Sequence, residues 1–82
     1  MKAAPIRKLA EAHTAAELNA FADALAEGED AAVDHGGDDL GEGLTHLMLA
    51  SRVRARMEQD DEPLPKAFRA VMADVRGTLQ ND

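Results

Sequence analysis

The sequence contains no cysteine, no tryptophan and no tyrosine, and only two phenylalanines among its 82 residues. Without cysteine the chain has neither a disulfide to stabilise a small fold nor a thiolate ligand for a metal. Two aromatic side chains are too few to line a deep ligand pocket. A chain of this length buries only about 60–65% of its unfolded surface. We therefore expect one small domain over residues 1–82, stabilised by packing or by self-association, with no cofactor.

Long apolar runs are also missing, because no stretch approaches the ~18 residues of a membrane span. The first ten residues lack the apolar region and cleavage site of a secretory signal, so we expect a cytoplasmic protein without a membrane partner. The net charge is −7, and residues 28–42 carry six carboxylates with no Lys or Arg. Such an acidic chain lacks the positive field that nucleic-acid binding requires. We expect no nucleic-acid partner.

Capping signals and apolar spacing predict an all-α protein. Pro5 suits a first helical turn because its φ is already restricted and its missing N–H needs no partner there. Thr14 and Glu17 form a capping box, and Asp39 and Glu42 repeat that spacing at the start of the next helix. We predict a compact bundle of three main helices, about 14–27, 39–58 and 65–79, plus a short N-terminal helix, about 5–12. The last helix has one apolar stripe: Leu64, Phe68, Val71, Met72, Val75 and Leu79.

The third helix carries apolar side chains in two stripes when its residues are placed at about 100° intervals. One stripe contains Leu40, Leu44, Leu47, Met48, Ser51 and Ala55, and the other contains Leu49, Val53 and Met57. A helix that is apolar on two sides is usually buried on two sides, so this helix is predicted to be central. Exposing Leu49, Val53 and Met57 together would leave a patch that soluble monomers usually cover. We predict that these three residues form the interface of a homodimer or bind an unidentified protein partner.

A metal site is conceivable near the start of this helix. Glu42 and His46 are one helical turn apart, and His35 and Asp38 are close in sequence, so carboxylate and imidazole ligands are available. The same side chains have a structural interpretation, in which Asp38 and Glu42 serve the positive helix N-terminus and His46 packs. The sequence favours the structural interpretation, and metal binding by His35, Asp38, Glu42 and His46 is the alternative.

Arg52 and Arg56 are also one helical turn apart, whereas Arg54 points elsewhere. Such a pair suits recognition of a carboxylate or another anion, so Arg52 and Arg56 are candidate contacts for an anion or a partner. The sequence favours pairing within the chain or between subunits, with the acidic segment 28–42 or with residues 60–62. Ser51 lies away from His46 by helical angle, so no nucleophile stands beside a base and no enzymatic activity is expected.

A series of short motifs runs along the chain: Ile6-Arg7-Lys8-Leu9, Gly37-Asp38-Asp39, Gly41-Glu42, Leu44-Thr45-His46-Leu47, Met57, Lys66-Ala67-Phe68-Arg69 and Val75-Arg76. Together these motifs resemble a family of short bacterial all-helical proteins of unknown function. The resemblance covers nearly the whole chain and implies a helical fold, but it implies no activity, ligand or catalytic residue. We therefore expect a non-enzymatic protein-interaction module that self-associates, with a small metal- or anion-binding protein as the alternative.

Overall fold

Four helices account for most of the chain. The computed structural model describes residues 2–29 and 33–80, with side chains as far as residue 77. The helices are Ala3–Ala12 (α1), Ala15–Ala26 (α2), Leu40–Asp60 (α3) and Leu64–Gln80 (α4), and no strand occurs within the described ranges. The all-α prediction is confirmed, and each helix begins and ends within two residues of its predicted bounds. Asp30 and the side chain of Leu79, which entered the sequence argument, lie outside the described part of the chain.

The predicted start and stop signals of α2 are confirmed. Thr14 Oγ1 accepts the Glu17 backbone N–H at 3.1 Å, and Glu17 Oε1 accepts the Thr14 backbone N–H at 2.8 Å. The Thr14 N–H holds the pKa of Glu17 below its usual value, because it stabilises the carboxylate. α2 ends before Gly28, as predicted. None of the four helices, over the residues described, is long and apolar enough to cross a bilayer.

α3 is the central helix, as predicted, because it packs against each of the other three. α1 runs in the same direction as α3: Lys2 lies beside His46, and Ala10 lies beside Arg54. α2 runs in the opposite direction, because Ala15 lies beside Glu58 and Asn19 lies beside Ser51. α2 and α4 do not pack on each other within the described residues. The smallest dimension of the molecule is 19 Å, which corresponds to about two layers of helices. With so few layers, one side of α3 stays open to solvent.

The two apolar stripes of α3 are the edges of one wide buried face. Ala50 is fully buried near the centre of that face, between Val53 at 0% exposure on one side and Leu47 at 0% on the other. Gly43 and His46 are buried in the same face, and Met57 packs against it. The sequence predicted two separate stripes because the residues between them on this face are small or polar: Gly43, His46 and Ala50.

The predicted dimer interface assumed that Leu49, Val53 and Met57 would be exposed in a single chain, and this assumption is wrong. Leu49 and Val53 are only 8% and 0% exposed within one chain, and Met57 is partly buried against the core. These side chains are covered by the helices of their own chain, so they form no exposed patch. The exposed large apolar side chains of the described chain are instead Leu40, at 57%, and Met48, at 55%.

Arg54 connects three helices, although the sequence-based prediction concerned Arg52 and Arg56. Its guanidinium donates to the carbonyl oxygens of Ala10 at 3.1 Å and Glu11 at 3.3 Å, near the end of α1. Arg54 Nε also donates to Glu58 Oε2 at 2.9 Å, and the same carboxylate oxygen accepts the backbone N–H of Ala15 at the start of α2. The Arg54 hydrogen bond lowers the pKa of Glu58. This cluster joins the α1–α2 turn to α3.

Candidate functional site

The predicted metal ligands meet near the start of α1, in a cluster that we call the N-terminal junction: Lys2, His35, Asp38, Glu42 and His46. His46 is fully buried at its centre. Its Nε2 accepts the backbone N–H of Lys2 at 2.9 Å, and its Nδ1 lies 2.8 Å from the carbonyl oxygen of His35. Because a backbone N–H can only donate and a carbonyl can only accept, these partners select a neutral ring with its proton on Nδ1. Both ring nitrogens are therefore occupied by backbone groups.

His35 is placed by glycines that the sequence analysis did not explain. A Cβ at Gly43 would lie 2.5 Å from Nδ1 and Cε1 of the His35 ring, so a larger residue there would displace the ring. Gly36 has a φ of +71° and its Cβ position lies 2.5 Å from the Pro5 side chain, so only glycine fits there without strain. The Gly37 backbone N–H donates to His35 Nδ1 at 3.0 Å. The loop is therefore packed closely onto α1 and the start of α3.

The carboxylates of the junction cap α3 and bind Lys2. Asp39 Oδ1 accepts the Glu42 backbone N–H at 2.8 Å, and Glu42 Oε1 accepts the Asp38 backbone N–H at 2.7 Å. Lys2 Nζ lies 3.1 Å from Asp38 Oδ1 and 4.0 Å from Glu42 Oε1. The Asp38 N–H is the largest of the causes that lower the pKa of Glu42 to about 2. The hydrogen bond to Asp38 raises the pKa of Lys2.

The structure thus brings together all four predicted metal ligands but engages them in hydrogen bonds. Neither nitrogen of the His46 ring presents a lone pair to solvent, because Nε2 accepts from a backbone N–H and Nδ1 carries the proton. In the described parts of the chain, no three His, Asp or Glu side chains are arranged to hold a metal ion. The geometry of His35, Asp38, Glu42 and His46 fits the start of a helix tied to the chain terminus.

Arg52 and Arg56 both face carboxylates of their own chain. Arg56 Nε donates to Glu62 Oε2 at 2.8 Å, and this hydrogen bond raises the pKa of Arg56. Arg52 lies 3.8 Å from Asp74 of α4, in an exposed pair. The sequence anticipated a partner among residues 60–62, whereas it did not anticipate Asp74. Over the described residues neither arginine pairs with the acidic segment 28–42.

The remaining candidate is an apolar surface on the solvent side of α3. Leu40, Leu44 and Met48 follow one another at one-turn intervals, and they define what we call the open face. Leu40 and Met48 are more than half exposed, and Leu44 is partly buried between them. The apolar spacing along the sequence predicts all three in a stripe that packs inside the fold. A helical-angle plot of α3 that included glycine, alanine and histidine would have centred the buried face elsewhere and left Met48 outside it.

Comparison with known proteins gives the family. A family model described as "Family of unknown function (DUF6952)" matches residues 1–80 of the chain. The chain belongs to this family. The match spans both the N-terminal junction and the open face, and it agrees with the expected membership of an uncharacterised family. Neither a curated protein nor a solved structure matches the chain.

Proposed function

We propose that the protein is a non-enzymatic interaction module that self-associates through the open face of α3. The observation that carries this proposal is the exposure of Leu40 and Met48, at 57% and 55%, on a helix whose other sides are covered. Leu44 extends the same apolar surface between them. Contiguous apolar side chains on a soluble protein commonly mark a contact with another molecule.

The order of residues along α3 suits an antiparallel pair related by a two-fold axis near Leu44. In that arrangement Leu40 of each copy faces Met48 of the other, and the two Leu44 side chains meet. Arg52 then approaches the acidic turn at Asp39 of the second copy, which lies at the positive end of that copy's helix. A two-fold interface requires such self-complementarity, because each surface contacts the same surface of the other copy.

The apolar area sets the expected strength. Fully covering a leucine or methionine side chain contributes about 1.5–3 kcal/mol. Leu40 and Met48 are each a little more than half exposed, so a symmetric pair gains about 4–6 kcal/mol from four such side chains, before the cost of association is subtracted. We therefore expect a weak dimer, with a Kd between about 100 µM and 1 mM.

The polar groups support binding over catalysis. The Ser51 hydroxyl donates to Asn19 Oδ1 at 2.6 Å, away from the ring of His46. Both nitrogens of His46 are held by backbone groups. Among the described residues these side chains provide neither an activated nucleophile nor an accessible base, which acyl-transfer chemistry would need.

Sedimentation equilibrium with matched variants tests the proposal. Met48→Glu places a charge on the open face, and Ala73→Glu places the same charge on an exposed position of α4. Measured from about 50 µM to 1 mM, the wild-type chain and Ala73→Glu should show the same monomer–dimer equilibrium, and Met48→Glu should stay monomeric. Because Met48 is exposed, the melting temperature of the Met48→Glu variant should differ little from that of the wild-type chain. A wild-type chain that is monomeric throughout this range, or a Met48→Glu variant that dimerises normally, would contradict the proposal.

A further inference from the structure

The outer edge of α4 is only partly covered. Two small residues of its apolar stripe, Ala67 and Val71, are buried at 0% and 4% exposure. The bulkier members of the stripe are only partly buried: Leu64, Phe68, Met72 and Val75. Within the described residues α4 packs only on α1 and α3, so nothing from α2 reaches this edge. An open groove of about 380 Å³ runs there, lined by Arg7, Leu64, Pro65, Phe68 and Arg69.

Cations without a carboxylate partner gather at this groove. The chain has nine Lys and Arg residues against sixteen Asp and Glu residues. Five of the nine form ion pairs: Lys2, Arg52, Arg54, Arg56 and Lys66. The other four, Arg7, Lys8, Arg69 and Arg76, form none in the described chain. Arg7 and Arg69 line the groove, and Arg76 lies about two turns beyond Arg69 on the same side of α4, so three cations without a carboxylate partner border one edge of an acidic protein.

Arg69 and Arg76 of α4 have no acidic residue one helical turn away. Arg69 and Arg76 are seven residues apart and therefore project from the same side of the helix, about two turns from each other. A helical partner would lie three or four residues away, but those positions around both arginines carry no acidic residue. On α1, the Arg7 guanidinium lies 5.4 Å from the centre of the Phe68 ring. Stacking on an aromatic ring leaves the edge of a guanidinium able to bind a carboxylate.

We propose that this surface, the α1–α4 edge formed by Arg7, Phe68, Arg69, Met72 and Arg76, binds an acidic amphipathic helix of another protein. Apolar side chains of that helix cover Phe68 in the groove and the partly buried Met72 one turn further along α4. Its carboxylates form bidentate hydrogen bonds with Arg7, Arg69 and Arg76. Arginine is one of the residue types enriched among the hot spots of protein interfaces.

The charges favour this occupant over the other classes. A nucleic acid or an anionic membrane extends well beyond the patch, so it would also meet the surrounding carboxylates of a chain of net charge −7, and three arginines are too few to offset that repulsion. A second copy bound edge to edge in a two-fold dimer would set Arg69 and Arg76 against the same residues, which is unfavourable. A short acidic helix contacts only the patch, and at physiological salt the remaining carboxylates beyond about 8 Å are largely screened.

The probe is a synthetic helix of about 18 residues, or five turns, with Leu on one face, Glu along both sides of that face and Ala elsewhere. It is titrated into the isotope-labelled full chain by heteronuclear NMR. We expect shifted amide signals at residues 7, 68, 69, 72 and 76. The variants Arg69→Glu and Arg76→Glu should each raise the Kd about tenfold, as expected for loss of one charge-assisted contact. The control Lys8→Glu changes the same charge on α1 away from the groove and should alter the Kd by less than about twofold.

Circular dichroism of each variant establishes that it folds, and Arg69→Gln provides a milder substitution with the same expected direction. The proposal is overturned by no binding at peptide concentrations on the order of 1 mM, by equal binding of a peptide with Gln at every Glu position, or by equal effects of Lys8→Glu and Arg69→Glu. It is also overturned if single-stranded DNA or phosphatidylserine vesicles bind these residues more tightly than the peptide. A change in sedimentation of the free chain on Arg69→Glu would assign the edge to a second copy instead.

Discussion

The backbone N–H of Lys2 donates to Nε2 of His46 at 2.9 Å across 44 residues of sequence. This hydrogen bond ties the start of α1 to the middle of the buried face of α3. The opposite ring nitrogen bonds the carbonyl of His35, so one side chain joins the chain terminus, the loop and the central helix. His46 is therefore a structural residue on this account, despite its resemblance to a metal ligand.

Replacing this side chain should destabilise the fold. His46→Ala removes two hydrogen bonds and opens a cavity, so we expect a loss of about 2–4 kcal/mol in the free energy of unfolding. Urea denaturation measures the loss. His13→Ala is the matched control, because His13 is partly exposed, makes a T-shaped ring contact with Phe21 and lies 3.9 Å from the Glu17 carboxylate. A rise in the wild-type melting temperature with zinc, abolished by His46→Ala, would instead restore the metal interpretation.

Acid should remove the contribution of Glu42. The folded protein lowers the pKa of this carboxyl from 4.5 to about 2, so the ionised form is the one that folding favours. Its stabilising contribution is complete above the unfolded value of 4.5 and is lost as the pH falls from there towards 2. The free energy of unfolding of Glu42→Gln should therefore fall below that of wild type near pH 7, and the difference should shrink near pH 2.5. A difference that does not vary with pH in that window would contradict this assignment.

Arg54 should matter more for stability than Arg52. Arg54→Ala removes hydrogen bonds to the carbonyls of Ala10 and Glu11 and the contact with Glu58, which we expect to cost about 1–2 kcal/mol. Arg52→Ala removes an exposed pair at 3.8 Å and should cost less than about 0.5 kcal/mol. Thermal and urea unfolding of the two variants side by side provide the comparison. Equal losses in the free energy of unfolding for the two variants would mean that the Arg54 hydrogen bonds to the α1 carbonyls do not stabilise the fold.

Asp61 offers a site for stabilisation. It caps the end of α3 with a φ of 53°, in the left-handed region that glycine adopts without strain. An acidic side chain there also faces the negative end of the helix dipole. Asp61→Gly should therefore raise the free energy of unfolding by about 0.5–1 kcal/mol. Asp60→Gly, one residue earlier and inside the helix, should lower it by a similar amount.

Local signals determined what could be predicted from sequence. The Thr14–Glu17 box and the Asp39 cap involve residues three apart, so the sequence alone contains both partners. The predicted central position of α3 also depended only on its own pattern. These features explain why the helix bounds and the role of Asp39 were predictable.

Which face of α3 is buried and which is exposed could not be predicted without knowing how the helices pack. Whether the side of α3 that contains Met48 or the side that contains Val53 is covered depends on where α1, α2 and α4 pack. His46, Ala50 and Gly43 fill the middle of the buried face, but their small or polar side chains gave no apolar signal. Arg54 bonds main-chain carbonyls of another helix, and carbonyls carry no sequence signature. The exposed face was therefore assigned to the wrong side.

Disulfide exchange between two single-cysteine variants tests self-association through the open face most directly, because the natural chain has no cysteine. Residues 40 and 48 lie about 12 Å apart along α3, and a disulfide requires Cα atoms about 4.4–6.8 Å apart. In an antiparallel pair centred on Leu44, isotopically distinguished Leu40→Cys and Met48→Cys chains should form the mixed disulfide faster than either forms a disulfide with itself. Like pairs that form as fast as the mixed pair, or a mixed pair no faster than an Ala20→Cys control on α2, would contradict the account.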